Sequence, residues 1–261
     1  MRWTQVNVAK KDPSRREKLT SAALLVILVA TSPWRQDVWI VVLTLVAAYA
    51  VGELMSHSDK AEGKPGTQAM MWGFGAYIVI GMGYAIALRT SSHWLAIIGL
   101  TVAASTLTDV GGWFFGQAFG EKGTFFATVS PNKSLAGFIG GCLSGTVAGV
   151  FVVWWVWVTK TPLDYERCLF LAMTIPIVSV AGDLFASKIK RLLGIKDFGD
   201  LIPGHGGMSD RLDSLALAAV WTGTVLAVPH LLWHMLIAVL IAAFLVKERN
   251  QERQPQSSIP A

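Results

Sequence analysis

Long runs of apolar residues, separated by short polar segments, dominate the pattern of this chain. Most runs reach or approach the length of about 20 residues that an α-helix needs to cross a bilayer. Strands of a membrane barrel would instead alternate apolar and polar positions. The pattern therefore predicts an all-α fold, a polytopic integral membrane helical bundle of about eight transmembrane helices. The predicted apolar segments are 19–33, 37–55, 68–88, 93–117, 134–159, 166–186, 212–228 and 230–246.

The composition agrees with a membrane protein. Hydrophobic residues make up 53% of the chain and charged residues only 15%, whereas a soluble domain carries about 25% charged residues. The two cysteines, Cys142 and Cys168, lie in apolar runs and are expected to pack between helices without a disulfide. The net charge of +5 is explained by basic loops on one side of a membrane, so membrane lipids are expected partners and nucleic acid is not.

The distribution of lysine and arginine predicts the orientation. With the N-terminus in the cytoplasm, 18 of the 22 basic residues fall in inside segments and 4 in outside loops. This asymmetry favours a multi-pass protein of the inner (plasma) membrane with both termini cytoplasmic. We expect a basic cytoplasmic segment at 1–18, a membrane catalytic domain at 19–246 with its signature region at 100–215, and a cytoplasmic tail at 247–261.

The longest polar segment runs from Ser187 to Ser214 and reads SKIKRLLGIKDFGDLIPGHGGMSDRLDS, between two apolar runs. Its glycine-rich turn includes Gly206 and Gly207, which would let the backbone approach a ligand and direct N–H groups at it. His205, in the same turn, either hydrogen-bonds a phosphate or shapes the turn. We expect this segment to lie at the cytoplasmic membrane surface and to hold phosphates and a metal ion.

Acidic residues mark the ends of the neighbouring apolar runs. Asp183 ends one run, and Asp210 and Asp213 share one face at the start of the next helix. Acids at a helix start also complement its dipole, and lone intramembrane acids, such as Asp109 and Glu53, are either functional or bond to another helix. If Asp183 meets the later pair, the three carboxylates suit Mg²⁺.

Basic residues lie close to these acids. Lys188, Lys190 and Arg191 follow Asp183 within two turns, and they either neutralise phosphates or extend from the membrane to the interface. They are therefore candidate phosphate ligands beside the predicted metal site.

A second polar segment, Ser-Pro-Asn-Lys-Ser at 130–134, precedes a glycine-rich apolar run. Ser134 can cap the following helix, and Lys133 can reach a phosphate at the helix start. Ordinary capping with a basic inside loop is the alternative interpretation. The small residues at 137–149 predict close packing between helices.

These segments together resemble a known family. The residues from Ser187 to Asp213 resemble the signature of the phosphatidate cytidylyltransferases, and the resemblance extends upstream through Ala-Gly-Asp-Leu at 181–184. The segment at 130–134 resembles the family element S-P-x-K-[ST], and Asp109 with Gly116 resembles the segment before it. The resemblance covers residues 100–215, whereas residues 1–90 match only in hydropathy.

The resemblance implies transfer of CMP from CTP to phosphatidate, which yields CDP-diacylglycerol and pyrophosphate. It also implies Mg²⁺, an associated K⁺ and a homodimer. The aspartates Asp183, Asp210 and Asp213 would form the metal centre and, with Lys190, the catalytic group. The predicted substrate-binding residues are Asp109, Ser130, Lys133, Ser134, Ser187, Arg191, His205, Gly206, Gly207 and Arg211.

Three residues depart from the usual family element S-P-K-K-T-x-E-G, namely Asn132, Ser134 and Ala136. Ala136 stands where the family element has a glutamate, and the absence of this glutamate bears on substrate choice more than on the class of reaction. A transferase acting on another lipid phosphate, such as a polyprenyl phosphate, stays open because acyl chains are met by non-specific apolar surface. An ion-coupled transporter would predict inverted repeats or paired broken helices, which the sequence does not display.

Overall fold

A computed structural model describes residues 36–120, 133–199 and 206–228. These residues form seven helices: α1 (Gln36–Met55), α2 (Ser58–Ala61), α3 (Pro65–Leu88), α4 (Trp94–Phe119), α5 (Leu135–Val158), α6 (Tyr165–Leu192) and α7 (Ser209–Ala227). The chain divides into a unit Met1–Gly223, which contains the site described below, and a unit Thr224–Ala261. Of the second unit, only the last turn of α7 and Val228 are described.

Five of these helices, namely α1, α3, α4, α5 and α6, are long and apolar enough to cross a membrane. The predicted all-α polytopic membrane bundle is therefore confirmed, and the protein is a multi-pass membrane protein. Helix α7 coincides with the predicted segment 212–228 but is not one of the five, because Asp210, Arg211 and Asp213 lie in its first turns. The predicted segments 19–33 and 230–246 fall outside the described residues, so the count of eight and the orientation of the termini stay predictions.

Glycines bring α4 and α5 into close contact. A Cβ atom added at Gly141 would lie 2.7 Å from the carbonyl oxygen of Thr108, and one at Gly137 would lie 2.8 Å from that of Gly112. Helices in lipid gain little hydrophobic free energy from each other, so close backbone approach is a main source of their association. The close packing predicted for 137–149 is confirmed, and it sets the start of α5 beside the second half of α4.

An aromatic cluster attaches the described part of the polar segment 187–214, called the signature segment below, to the membrane helices. Phe198, which follows α6, is 1% exposed and stacks on Phe74 of α3 with ring centroids 5.1 Å apart. Phe74 in turn meets Tyr77 edge to face at 5.0 Å. Burying an aromatic ring contributes up to about 3 kcal/mol, so this contact holds Phe198 against α3.

Candidate active site

A cavity of about 540 Å³ lies where the end of α6 meets the start of α7, with further walls from α4 and α5. Cavities of about 300–1,000 Å³ are typical of small-molecule sites. Its charged lining residues are Asp109, Lys133, Asp183, Lys190, Asp197, Asp210, Arg211 and Asp213. Charged side chains are costly next to hydrocarbon unless they serve a ligand or one another, so their concentration here marks the functional site.

Asp183 and Asp213 come together because α6 and α7 approach each other closely at Gly182. A Cβ atom added at Gly182 would overlap the carbonyl oxygen of Asp213. Asp213 is buried, and its Oδ1 accepts a hydrogen bond from the backbone N–H of Ser214 at 2.8 Å. Asp109 of α4 and Ser214 of α7 line the same cavity. Asp109, Asp183 and Asp213 thus line one cavity, and negative charges that share a site favour a bound cation.

The second polar segment contacts the end of α6 through Lys133. Its ammonium forms an ion pair with Asp183 Oδ2, and Ser187 Oγ lies 3.5 Å from the other oxygen, Asp183 Oδ1. Ser134 is the N-cap of α5, where its Oγ accepts a hydrogen bond from the N–H of Gly137 at 3.1 Å. The predicted capping by Ser134 is therefore confirmed, and Lys133, the residue before it, lines the cavity.

Asp210 holds distant parts of the signature segment together. Lys190 Nζ lies 2.8 Å from Asp210 Oδ1, and Asp210 Oδ2 accepts hydrogen bonds from the N–H groups of Phe198 at 2.8 Å and Gly207 at 3.0 Å. Gly206 has φ of 82°, in the left-handed region that favours glycine. The N–H of Gly207, expected to face a ligand, thus donates to a carboxylate of the protein.

The donor set fits a magnesium ion with few protein ligands. Within residues 36–120, 133–199 and 206–228, no three His, Cys, Asp or Glu side chains form a group that could hold a metal ion by themselves. Mg²⁺ usually takes only one or two carboxylates and completes its shell with water and substrate phosphates. Asp183 suits that role because its pair with Lys133 is partly exposed in the cavity, and Asp213 lines the same cavity. Asp210 is more fully engaged, because it accepts three hydrogen bonds and its pair with Lys190 is buried. The three-aspartate metal centre stays a prediction.

The other predicted binding residues differ in their relation to the cavity. Asp109, Lys133, Ser134 and Arg211 line the cavity, whereas Arg191 is exposed and is not one of the described lining residues. Ser187 reaches the site through Asp183, and Gly206 and Gly207 pack against Asp210. Ser130 and His205 lie outside the described residues. The substrate roles of all these residues stay predictions.

Glu53 of α1 is the site-supporting residue that the sequence did not assign. Its two carboxylate oxygens accept hydrogen bonds from the N–H groups of Met208 and Ser209, each at 2.9 Å. The only signal in the sequence was an acid near the end of an apolar run. Its partners lie 155 and 156 positions further along the chain, and no local pattern connects them.

This chain is similar to known proteins. Residues 3–229 match the model of the Cytidylyltransferase family. Similar relatives include the phosphatidate cytidylyltransferase of Helicobacter pylori, 41% identical over 126 residues, which are 48% of this chain and 45% of that protein. The enzyme of the same name from Staphylococcus haemolyticus is 36% identical over 140 residues, 53% of this chain and 51% of that protein.

A third relative, the phosphatidate cytidylyltransferase of Mycobacterium bovis, is 39% identical over 138 residues, 53% of this chain and 42% of that protein. The chain spans about half the length of the curated relatives it matches. The family model, in contrast, covers most of the chain and every cavity-lining residue named above. This protein therefore belongs to the cytidylyltransferase family.

Proposed function

We propose that this protein transfers the cytidylyl group of CTP to phosphatidate, which produces CDP-diacylglycerol and pyrophosphate. Its family membership and the names of its relatives support this reaction. The observation that carries the proposal is that Lys133 of the second polar segment forms an ion pair with Asp183 in a cavity that Asp213 also lines. The same cavity thus offers carboxylates for a cation and cations for phosphates.

The proposed reaction is an in-line displacement at phosphorus. A phosphate oxygen of phosphatidate attacks the α-phosphorus of CTP, and the bond from that phosphorus to the bridging oxygen breaks as pyrophosphate leaves. The phosphate monoester is already largely ionised at neutral pH, so no strong general base is needed. The protein must instead align two anionic substrates and neutralise their charge.

The cationic residues of the cavity suit that task. Lys133 precedes the N-terminus of α5, where backbone N–H groups and the helix dipole already favour an anion. Arg211 projects from the first turn of α7 and lines the same cavity. Lys190 completes the set from the last turn of α6, although its ammonium is shared with Asp210. These three cations are proposed to bind the triphosphate and the departing pyrophosphate.

Mg²⁺ is the proposed cofactor, with Asp183 and Asp213 as its carboxylate ligands and Asp210 as the third predicted ligand. When bound, the ion would neutralise negative charge on the phosphates of the substrates. The K⁺ ion and the homodimer implied by the family resemblance stay predictions.

The location of the cavity suits a lipid substrate. Trp113 of α4 lines the cavity and is 64% exposed on the surface of a membrane helix. A headgroup could therefore enter from the side while its acyl chains stay in lipid. We propose that the protein lies in the plasma membrane and that the cavity faces the cytoplasm, where CTP is available.

The test uses the purified full chain with α-labelled CTP, phosphatidate and Mg²⁺, and measures label that partitions into organic solvent. We expect label in lipid only when all three are present, and at least about a hundredfold less with Asp183→Asn. Polyprenyl phosphate is supplied in parallel as the acceptor. Transfer to that acceptor alone would overturn the proposed substrate, and no transfer to either lipid would overturn the reaction.

A further inference from the structure

We propose that Glu53 is a positioning residue of this site. Its carboxylate fixes the start of α7, and with it Asp210 and Asp213, relative to the end of α6. The kinetic part of this inference rests on the proposed function, whereas its structural part does not. Glu53 lies on α1, outside the two segments that resemble the family signature, and it is not one of the described residues that line the cavity.

The contacts of Glu53 attach α7 to α1 at one point. Oε1 accepts from the N–H of Met208 and Oε2 from that of Ser209, both at 2.9 Å, and Glu53 is 9% exposed. One turn earlier on α1, the carbonyl oxygen of Ala50 accepts from Ser209 Oγ at 3.0 Å. The first N–H groups of a helix have no partner within the helix. Here a carboxylate from a distant helix satisfies two donors where α7 begins.

Two glycines enclose the same carboxylate. A Cβ atom at Gly207 would lie 2.6 Å from both oxygens of Glu53, and one at Gly199 would overlap its carboxylate. Gly199 follows Phe198, whereas Gly207 precedes the start of α7. Glu53 therefore contacts the signature segment at two positions, Gly199 and Gly207. A side chain larger than glycine at either position would collide with the carboxylate.

A short series of contacts connects Glu53 to the residues that line the cavity. Gly207, against Glu53, donates its N–H to Asp210 Oδ2 at 3.0 Å, and Asp210 Oδ1 accepts from Lys190 of α6 at 2.8 Å. Asp213 follows one turn later on α7. A shift of the segment at Glu53 would therefore change the separation of Asp213 from Asp183, the pair proposed to hold Mg²⁺.

The two N–H donors require a carboxylate. A glutamine at this position has one acceptor oxygen and one donor group, so its amide would meet one of the two N–H groups with another N–H. Aspartate keeps the charge but is one methylene shorter and reaches the donors less well. Glu53→Gln and Glu53→Asp therefore test geometry, and Asp37→Asn, at the exposed opposite end of α1, is the matched control.

The structural test is hydrogen exchange of the peptide that covers residues 206–214. In Glu53→Gln we expect exchange of this peptide to rise by about tenfold or more, since hydrogen bonds to a charged acceptor are lost. Peptides from α4 and α5 should exchange as in the wild type. Unchanged exchange at 206–214, or equal acceleration throughout the protein, would overturn the inference. Glu53→Asp supplies the same readout if Glu53→Gln does not accumulate.

The functional test is Mn²⁺ binding by electron paramagnetic resonance, together with the dependence of turnover on Mg²⁺. We expect both variants at Glu53 to need several-fold more metal ion, and excess Mg²⁺ to restore part of the rate. A protein that was merely unstable would lose active molecules without this rescue. Wild-type metal dependence in both variants, in an active enzyme, would overturn the positioning role alone. An inactive wild type with the expected exchange pattern would instead overturn the proposed function.

Discussion

Lys190 of α6 donates a hydrogen bond to Asp210 of α7, with Nζ 2.8 Å from Oδ1. The two side chains are only 13% and 6% exposed, and the Lys190 ammonium also lies 5.5 Å from the centre of the Phe198 ring. Asp210 Oδ2 accepts two backbone hydrogen bonds from the same signature segment. An aspartate predicted as a metal ligand thus joins α6, α7 and the segment between them.

Breaking this pair should destabilise the protein. Lys190→Met leaves the Asp210 carboxylate buried without its cation, and Asp210→Asn leaves the ammonium without its anion. Removal of one partner of a buried pair costs about 3–5 kcal/mol, which we expect as a marked fall in Tm in detergent. The double variant, Lys190→Met with Asp210→Asn, should be more stable than either single variant because neither charge remains. If the destabilisation of the double variant equals the sum of the destabilisations of the two single variants, the pair is not coupled.

Asp183 should be required for turnover but not for folding. Its side chain is 29% exposed in the cavity, and its carboxylate contacts Lys133 and Ser187. Asp183→Asn keeps its shape but removes the charge that would hold the metal ion, so we expect activity to fall by about two orders of magnitude or more. Asp59→Asn, an exposed residue of α2, is the control. Wild-type formation of labelled lipid by Asp183→Asn would refute the metal role.

Lys133 should compete with the metal ion for Asp183 when no nucleotide is bound. The two side chains are 28% and 29% exposed, so water weakens their attraction. Lys133→Met should therefore tighten Mn²⁺ binding to the nucleotide-free protein by about two- to fivefold and, at the same time, raise the KM for CTP.

The measurements are Mn²⁺ titration by electron paramagnetic resonance and initial rates at saturating lipid. Lys60→Met, an exposed lysine in α2, should alter neither. Weaker Mn²⁺ binding in Lys133→Met would contradict the proposed competition.

The helices were predictable because hydropathy is a local property. The apolar runs at 37–55, 68–88, 93–117 and 134–159 correspond closely to α1, α3, α4 and α5. The run at 166–186 ends before its helix does, because α6 continues to Leu192 through polar residues such as Lys188 and Lys190. Lysine favours a helix but lowers hydropathy. A prediction from apolar residues therefore places the C-terminal end of α6 too early.

The arrangement of the site was only partly predictable. Motif resemblance brought Asp183, Asp213 and Lys133 into one site, and all three line the cavity. Sequence did not predict that Asp210 pairs with Lys190 or that Glu53 bonds to the start of α7. Both contacts depend on how distant segments pack, and the polar residues involved have several chemically reasonable partners along the chain.

Gly182 should be intolerant of even one added methyl group. A Cβ atom there would overlap the backbone carbonyl oxygen of Asp213, which cannot rotate away as a side chain could. Gly182→Ala should therefore push α7 from α6 and separate Asp213 from Asp183. Overpacking of this kind costs about 1–3 kcal/mol, partly offset by the gain of about 1 kcal/mol when alanine replaces glycine in a helix.

Gly73→Ala is the matched control, because it also lies inside a membrane helix, α3, and an added Cβ would have no neighbour within 4 Å. We expect Gly73→Ala to keep or raise the Tm with wild-type activity. Gly182→Ala should lose activity out of proportion to any fall in Tm, and should need more Mg²⁺ for half-maximal rate, since the displaced group is a proposed metal ligand. Equal behaviour of the two alanine variants in both assays would mean that α6 and α7 do not approach closely at Gly182, and that Asp183 and Asp213 are not held together there.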